Sequence, residues 1–168
     1  DSNLAKVKSL MLLLESEEKN WQQALCLRFY FSMQAPLNRV MSARWDQLYE
    51  VTFARPPRTR IMWEYNEKSV RREYFSGALE AMLRNLRNRV EQEYGESDFC
   101  FPSRYGRRFG HIRSVDQVWH RVLSVVEMPY VSPKRLRVAV NQFGTWQVLA
   151  DREAVWRGIF SDHEANSE

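Results

Sequence analysis

The segment Ser132-Pro133-Lys134-Arg135-Leu136-Arg137 is where this sequence first offers chemistry. A Ser cap followed by Pro marks a helix start, where unpaired N–H groups already favour an anion. Lys134 and Arg137 stand three apart on one helical face, so both reach a single phosphate-sized group. Cations in a first turn oppose the helix dipole. That leaves two readings: a solvated basic turn, or a site whose bound anion reverses the electrostatics. Upstream, Arg104, Arg107 and Arg108 crowd three arginines into five residues, and Lys68 lies in the turn-like Asn66-Glu67-Lys68-Ser69.

Other chemistries find no footing. His111, His120 and His163 have no partner at metal-ligand spacing, and Cys26 and Cys100 belong to no CxxC. No GxxxxGK[ST], GxGxxG or GxSxG occurs. The expectation is a protein with no metal and no cofactor. The longest apolar run, Leu10 to Leu14, is far short of the roughly 20 residues of a membrane span. With no secretory pattern and no disulfide framework, a cytoplasmic setting is expected.

The 168 residues, 44% hydrophobic and 27% charged, fit one globular domain, taken as 1–168. A net charge of +4 says little, but 20 of the 25 basic residues are Arg. Arg presents a planar fork suited to phosphate, whereas surfaces built for solubility lean on Lys. Residues 101–137 hold eight basic residues against two acidic, and residues 138–168 two against five. A basic middle points to a localised anion-binding surface.

The elements that must position these groups read as mostly helical. Leu4, Val7, Leu10, Met11 and Leu14 share a helical face, and a second helix covers about Trp21 to Met33. Pro36 suits the first turn of a third, reaching about Arg44. Trp45–Phe53, Ile61–Tyr65 and Val70–Phe75 read as three antiparallel strands, with turns at Arg55–Arg58 and Asn66–Ser69. Ser76 caps a long helix ended by Gly95. After a loop over 96–113, Ser114 and Gln117 form a capping box for the next helix. Helices from Ser132 to Gly144 and from Asp151 to Phe160 follow. Trp45, Phe101 and Trp119 are expected in the core.

In this order the sequence resembles the tyrosine recombinase (phage integrase) family. Pro133-Lys134-Arg135-Leu136-Arg137 looks like its HxxR box, with Lys134 in place of His, as in some type IB topoisomerases. The run Phe29 to Trp45, ending Ser42-Ala43-Arg44-Trp45-Asp46, looks like the helix leading into "LRW". Lys68 with Tyr74-Phe75-Ser76 is similar to the hairpin lysine and following "VPLS". Phe99-Cys100-Phe101-Pro102-Ser103 resembles "LFPS", and Gly158-Ile159-Phe160-Ser161-Asp162-His163 the late "LLGH" box.

The resemblance implies an α+β, mostly helical catalytic-type domain of the recombinase/type IB topoisomerase fold. It implies double-stranded DNA and further recombinase protomers as partners, and a setting in a mobile genetic element. Lys134 and Arg137 would hold the scissile phosphate, Lys68 would protonate the leaving 5′ oxygen, and His163 would hydrogen-bond the phosphate. Arg71, Arg104, Arg107, Arg108 and Arg135 would bind DNA. The position of the family's first Arg is Pro36, with Arg39 three residues on as the substitute. The last tyrosine is Tyr130, so the expected nucleophile is not among these residues. The reading is therefore a DNA-binding recombinase domain that does not cleave as it stands. Its alternatives are a catalytically degenerate DNA-binding relative and an α-helical protein-interaction module.

Overall fold

The computed structural model describes residues 3–55, 57–66, 71–103 and 110–143. In chain order, helices α1 (Asn3–Ser16), α2 (Trp21–Ser32) and α3 (Leu37–Met41) precede a 3-10 turn at Trp45–Gln47. Strands β1 (Leu48–Ala54), β2 (Pro57–Asn66) and β3 (Arg71–Tyr74) come next. Helices α4 (Gly77–Tyr94), α5 (Asp116–Val125) and α6 (Pro133–Phe143) complete the described elements. The expected plan, mostly helical with one small antiparallel sheet, is what forms. Of the turn expected at Asn66–Ser69, Asn66 instead ends β2; its other residues and the expected helix over Asp151–Phe160 lie outside the described residues.

The chain divides into two compact units, Asp1–Phe31 with Val115–Glu168, and Ser32–Ser114. In the first, α1 buries Val7, Leu10 and Leu14 at three- and four-residue spacing and leaves Leu12 exposed behind them. Helix α5 buries Val118, Trp119, Val122 and Leu123 in the same way. The Lys6 ammonium donates to the Glu127 carbonyl (3.0 Å) just past α5, and Arg121 in the middle of α5 pairs with Glu17 just past α1, so two contacts link these segments. Helix α2 is buried nearly all round, through Trp21, Ala24, Cys26, Leu27, Phe29 and Tyr30. A helix with no polar face is a core helix.

The second unit centres on the sheet, of order β1-β2-β3 and antiparallel throughout. Met62 and Trp63, successive residues on opposite faces of β2, are both buried, as are Phe75 after β3 and Leu79, Leu86 and Val90 of α4. The Ile61 amide donates to the Glu80 carboxylate of α4 (3.2 Å), and Ser76 Oγ caps α4 by accepting from the Leu79 amide (3.3 Å). Gly95 ends α4 at φ 72°, where a side chain is strained.

Four local expectations are corrected. The capping box at Ser114 and Gln117 does not form: Val115 occupies the cap position, without a side-chain cap bond, and α5 starts at Asp116. Val115 is only 2% exposed, so its burial sets where the helix begins. Helix α3 stops at Met41 rather than Arg44, because the Cys100 amide bonds to the Ala43 carbonyl and Arg44 bridges to Phe99. Pro36 precedes that helix as its N-cap instead of lying in its first turn. Strand β2 begins at Pro57 opposite Ala54, so Pro57 and Arg58 belong to the ladder and not to the turn.

Candidate nucleic-acid interface

The start of α6 is built as its sequence implies. Ser132 Oγ accepts from the Arg135 amide (3.1 Å), and the Ser132 carbonyl accepts from the Leu136 amide (3.1 Å). Pro133 has no N–H to leave unpaired there. The chain approaching this start is fixed by the indole of Trp119, which donates to the Val131 carbonyl (2.8 Å). Leu136 is fully buried and pins the first turn, while Lys134 is exposed and Arg135 half-buried.

Arg137 is held from a distant part of the chain. Its guanidinium carbon lies 3.8 Å from the centre of the Tyr30 ring, and Nη1 donates to the Tyr30 carbonyl (3.2 Å). Tyr30 stands in the last turn of α2, whose final carbonyls have no partner within the helix and carry its negative dipole end. A guanidinium there bonds an orphan acceptor, complements the dipole and stacks on an aromatic face at once. Burial pushes the Tyr30 phenol above its ordinary range, and the charge of Arg137 works against that rise. Arg137 is thus positioned before any ligand arrives, with one edge of its fork spent on Tyr30.

In the second unit, Pro36 has extended backbone (φ −61°, ψ 151°), and its carbonyl accepts from the amides of Arg39 and Val40. The preceding turn is clamped by β3: the Gln34 amide donates to both Glu73 carboxylate oxygens (2.9 and 3.0 Å). Arg39 is exposed on α3. Arg44 is engaged locally, bonding Asp46 (3.2 Å) and lying over the Phe99 ring at 5.3 Å. Trp45, expected in the core, is half-buried, with the Arg87 guanidinium 5.3 Å from its ring centre. Phe101 and Trp119 are buried as expected.

Arg71 pairs with Asn66 in the ladder. Lys68, Arg104, Arg107, Arg108 and His163 lie outside the described residues. The structure therefore brings Lys134, Arg135 and Arg137 together on one capped turn of the first unit, and Arg39 belongs to the second unit. Sequence reasoning missed Tyr30. Its partner is 107 positions away, and no local pattern announces such a pair.

No protein-family model matches the chain, and no curated protein matches it in sequence. Among solved structures, the fold is similar to that of XerH site-specific recombinase, in a crystal structure of its pre-cleavage complex bound to difH substrate. The TM-score is 0.58 at 11% identity, covering 86% of this chain and 43% of the other. The chain thus spans less than half the length of that recombinase. The mostly helical architecture with its three-stranded sheet is the recombinase fold.

Proposed function

We propose that this chain is a DNA-binding, catalytic-type domain of a tyrosine recombinase, with the start of α6 holding a backbone phosphate of duplex DNA. The observation that carries the reading is the prepositioned Arg137 beside exposed Lys134 on a capped helix start. A fixed guanidinium and an exposed ammonium, at the positive dipole end of a helix, form a set of donors suited to phosphate oxygens.

In the recombination reaction, Arg137 and Lys134 would meet the charge on the non-bridging oxygens as the phosphorus becomes pentacoordinate. A tyrosine oxygen, which these residues do not present at the family spacing, would attack phosphorus. The bond to the 5′ oxygen would break as Lys68 protonates it, and His163 would donate to a phosphate oxygen. The product is a 3′-phosphotyrosyl link, with no metal taking part.

The test is fluorescence anisotropy with labelled duplex DNA over a salt series. Binding that weakens steeply with salt is expected, with Lys134→Gln reducing the slope by about 0.9, one phosphate contact. No binding to any duplex at low salt would overturn the reading in favour of a protein-interaction module.

Pro36 favours a second, narrower version, a relative that keeps DNA binding and has lost strand cleavage. It has neither charge nor donor, and it caps α3 where the family places an Arg. Removing one such charge-stabilising group typically costs on the order of 10²-fold in rate or more. Covalent trapping of the full-length protein on a nicked suicide substrate distinguishes the two. Efficient trapping abolished by Arg39→Ala would make Arg39 the substitute and refute the loss.

A further inference from the structure

Strands β1 and β2 outrun β3. β3 pairs with β2 only over Met62–Asn66, whereas the β1–β2 ladder continues through Val51↔Arg60, Thr52↔Thr59, Phe53↔Arg58 and Ala54↔Pro57. The last four residues of this two-stranded ribbon reach about 13 Å past the third strand, at roughly 3.3 Å per residue. Two strands alone are marginal in water, and this extension buries little: Thr52, Ala54, Arg55, Pro57, Arg58 and Thr59 are all exposed.

Its charge is one-sided. From Val51 to Trp63 the sequence carries Arg55, Arg58 and Arg60 and no carboxylate. The Arg60 guanidinium donates to the Phe75 carbonyl (3.3 Å), which anchors the base of the ribbon. The Arg58 guanidinium lies 5.3 Å from the centre of the Phe53 ring across the ladder, and Thr52 and Thr59 share a hydroxyl hydrogen bond (3.2 Å) on the opposite face. Among the described residues, neither Arg55 nor Arg58 has a carboxylate partner. Three like charges on a thin projection repel one another, and an array of anions relieves that repulsion. The backbone of duplex DNA is such an array, and its major groove, about 12 Å wide, admits a two-stranded ribbon.

Resting on the DNA-binding reading above, we propose that the β1–β2 ribbon is an additional DNA-binding arm. Arg55 and Arg58 each grip a backbone phosphate of the duplex, and Arg60 holds the ribbon in place. The contact is to phosphate and is insensitive to base sequence. The aromatic rest beneath Arg58 fixes its fork and lowers the entropy lost on binding.

Arg55→Gln/Arg58→Gln should reduce the slope of log affinity against log salt by about 1.8 relative to the unmodified chain. At 0.1 M salt that corresponds to roughly 60-fold weaker binding to any duplex. Arg55→Lys/Arg58→Lys should recover most of the slope. Duplex DNA should also protect Arg55 and Arg58 of the unmodified protein from phenylglyoxal, read by peptide mass spectrometry, a measurement that needs no variant to fold. An unmodified chain that binds no duplex refutes the DNA-binding reading itself. A chain that binds steeply with salt, while the Gln pair keeps its slope and DNA leaves both arginines open to phenylglyoxal, refutes the arm alone.

Discussion

Replacing Arg137 with Met tests whether the guanidinium is built into the fold or merely rests on it. Met keeps an unbranched stem of similar length, so the change removes the charge and the fork while sparing most of the packing. Three contributions are lost. The charged hydrogen bond to the Tyr30 carbonyl is worth about 1.5–3 kcal/mol. The stack on Tyr30, a ring in a residue only 1% exposed, is worth about 1–2 kcal/mol. The complement to the α2 dipole adds about 0.3–1 kcal/mol. These overlap in one group and Arg137 is half-buried, so the expected net loss is about 2–4 kcal/mol. For a chain of this size that lowers Tm by about 4–16 °C. Thermal melts followed by circular dichroism give the shift. Tyr30→Leu and the double variant then complete a cycle whose coupling should be about 1 kcal/mol or more. A Tm within a degree of the parent, or a coupling near zero, would show that Arg137 is not held by α2. The prepositioning argument for the phosphate site would go with it.

Gln47→Ala should cost about 2–3 kcal/mol, read by urea denaturation, because Gln47 Oε1 accepts from both the buried Trp63 indole (3.0 Å) and the Arg44 amide (3.1 Å). Ser132→Ala should destabilise by about 1 kcal/mol through loss of the α6 cap, and a duplex titration should show weaker binding as the helix start frays. Burial raises the Glu17 carboxyl, but the Asn20 amide and Arg121 outweigh it and hold it below its ordinary 4.5. A depressed folded pKa stabilises above the unfolded value, and the stability is lost as pH falls through the folded one. Glu17→Gln should therefore flatten the decline of Tm below about pH 4.5 in melts across an acid series. Burial pushes the Cys26 thiol far up, so native protein at pH 8 should leave it unlabelled by a disulfide reagent and expose it only at the rate of unfolding.

Periodicity and caps, which are local, were legible in the residues. The spacing of Val7, Leu10 and Leu14 gave α1 its buried face, Ser76 and Gly95 bounded α4, and Ser132-Pro133 started α6, each within a turn of where it stands. Side-chain spacing and backbone hydrogen bonding over four residues decide such features, and both are written in sequence order. The Ser114 capping box failed because burial of Val115, a tertiary demand, outweighs one cap bond. The β1–β2 turn came out shorter than its Arg-Pro-Pro-Arg composition implies, because pairing with a neighbouring strand carried the ladder through Pro57. For the candidate site, the sequence by itself placed Lys134 and Arg137 on one helical face. That Arg137 is aimed by the carbonyl and ring of Tyr30 was decided only by the tertiary structure. A helix end has unpaired carbonyls whatever its sequence, and which distant cation reaches them depends on how the chain folds back.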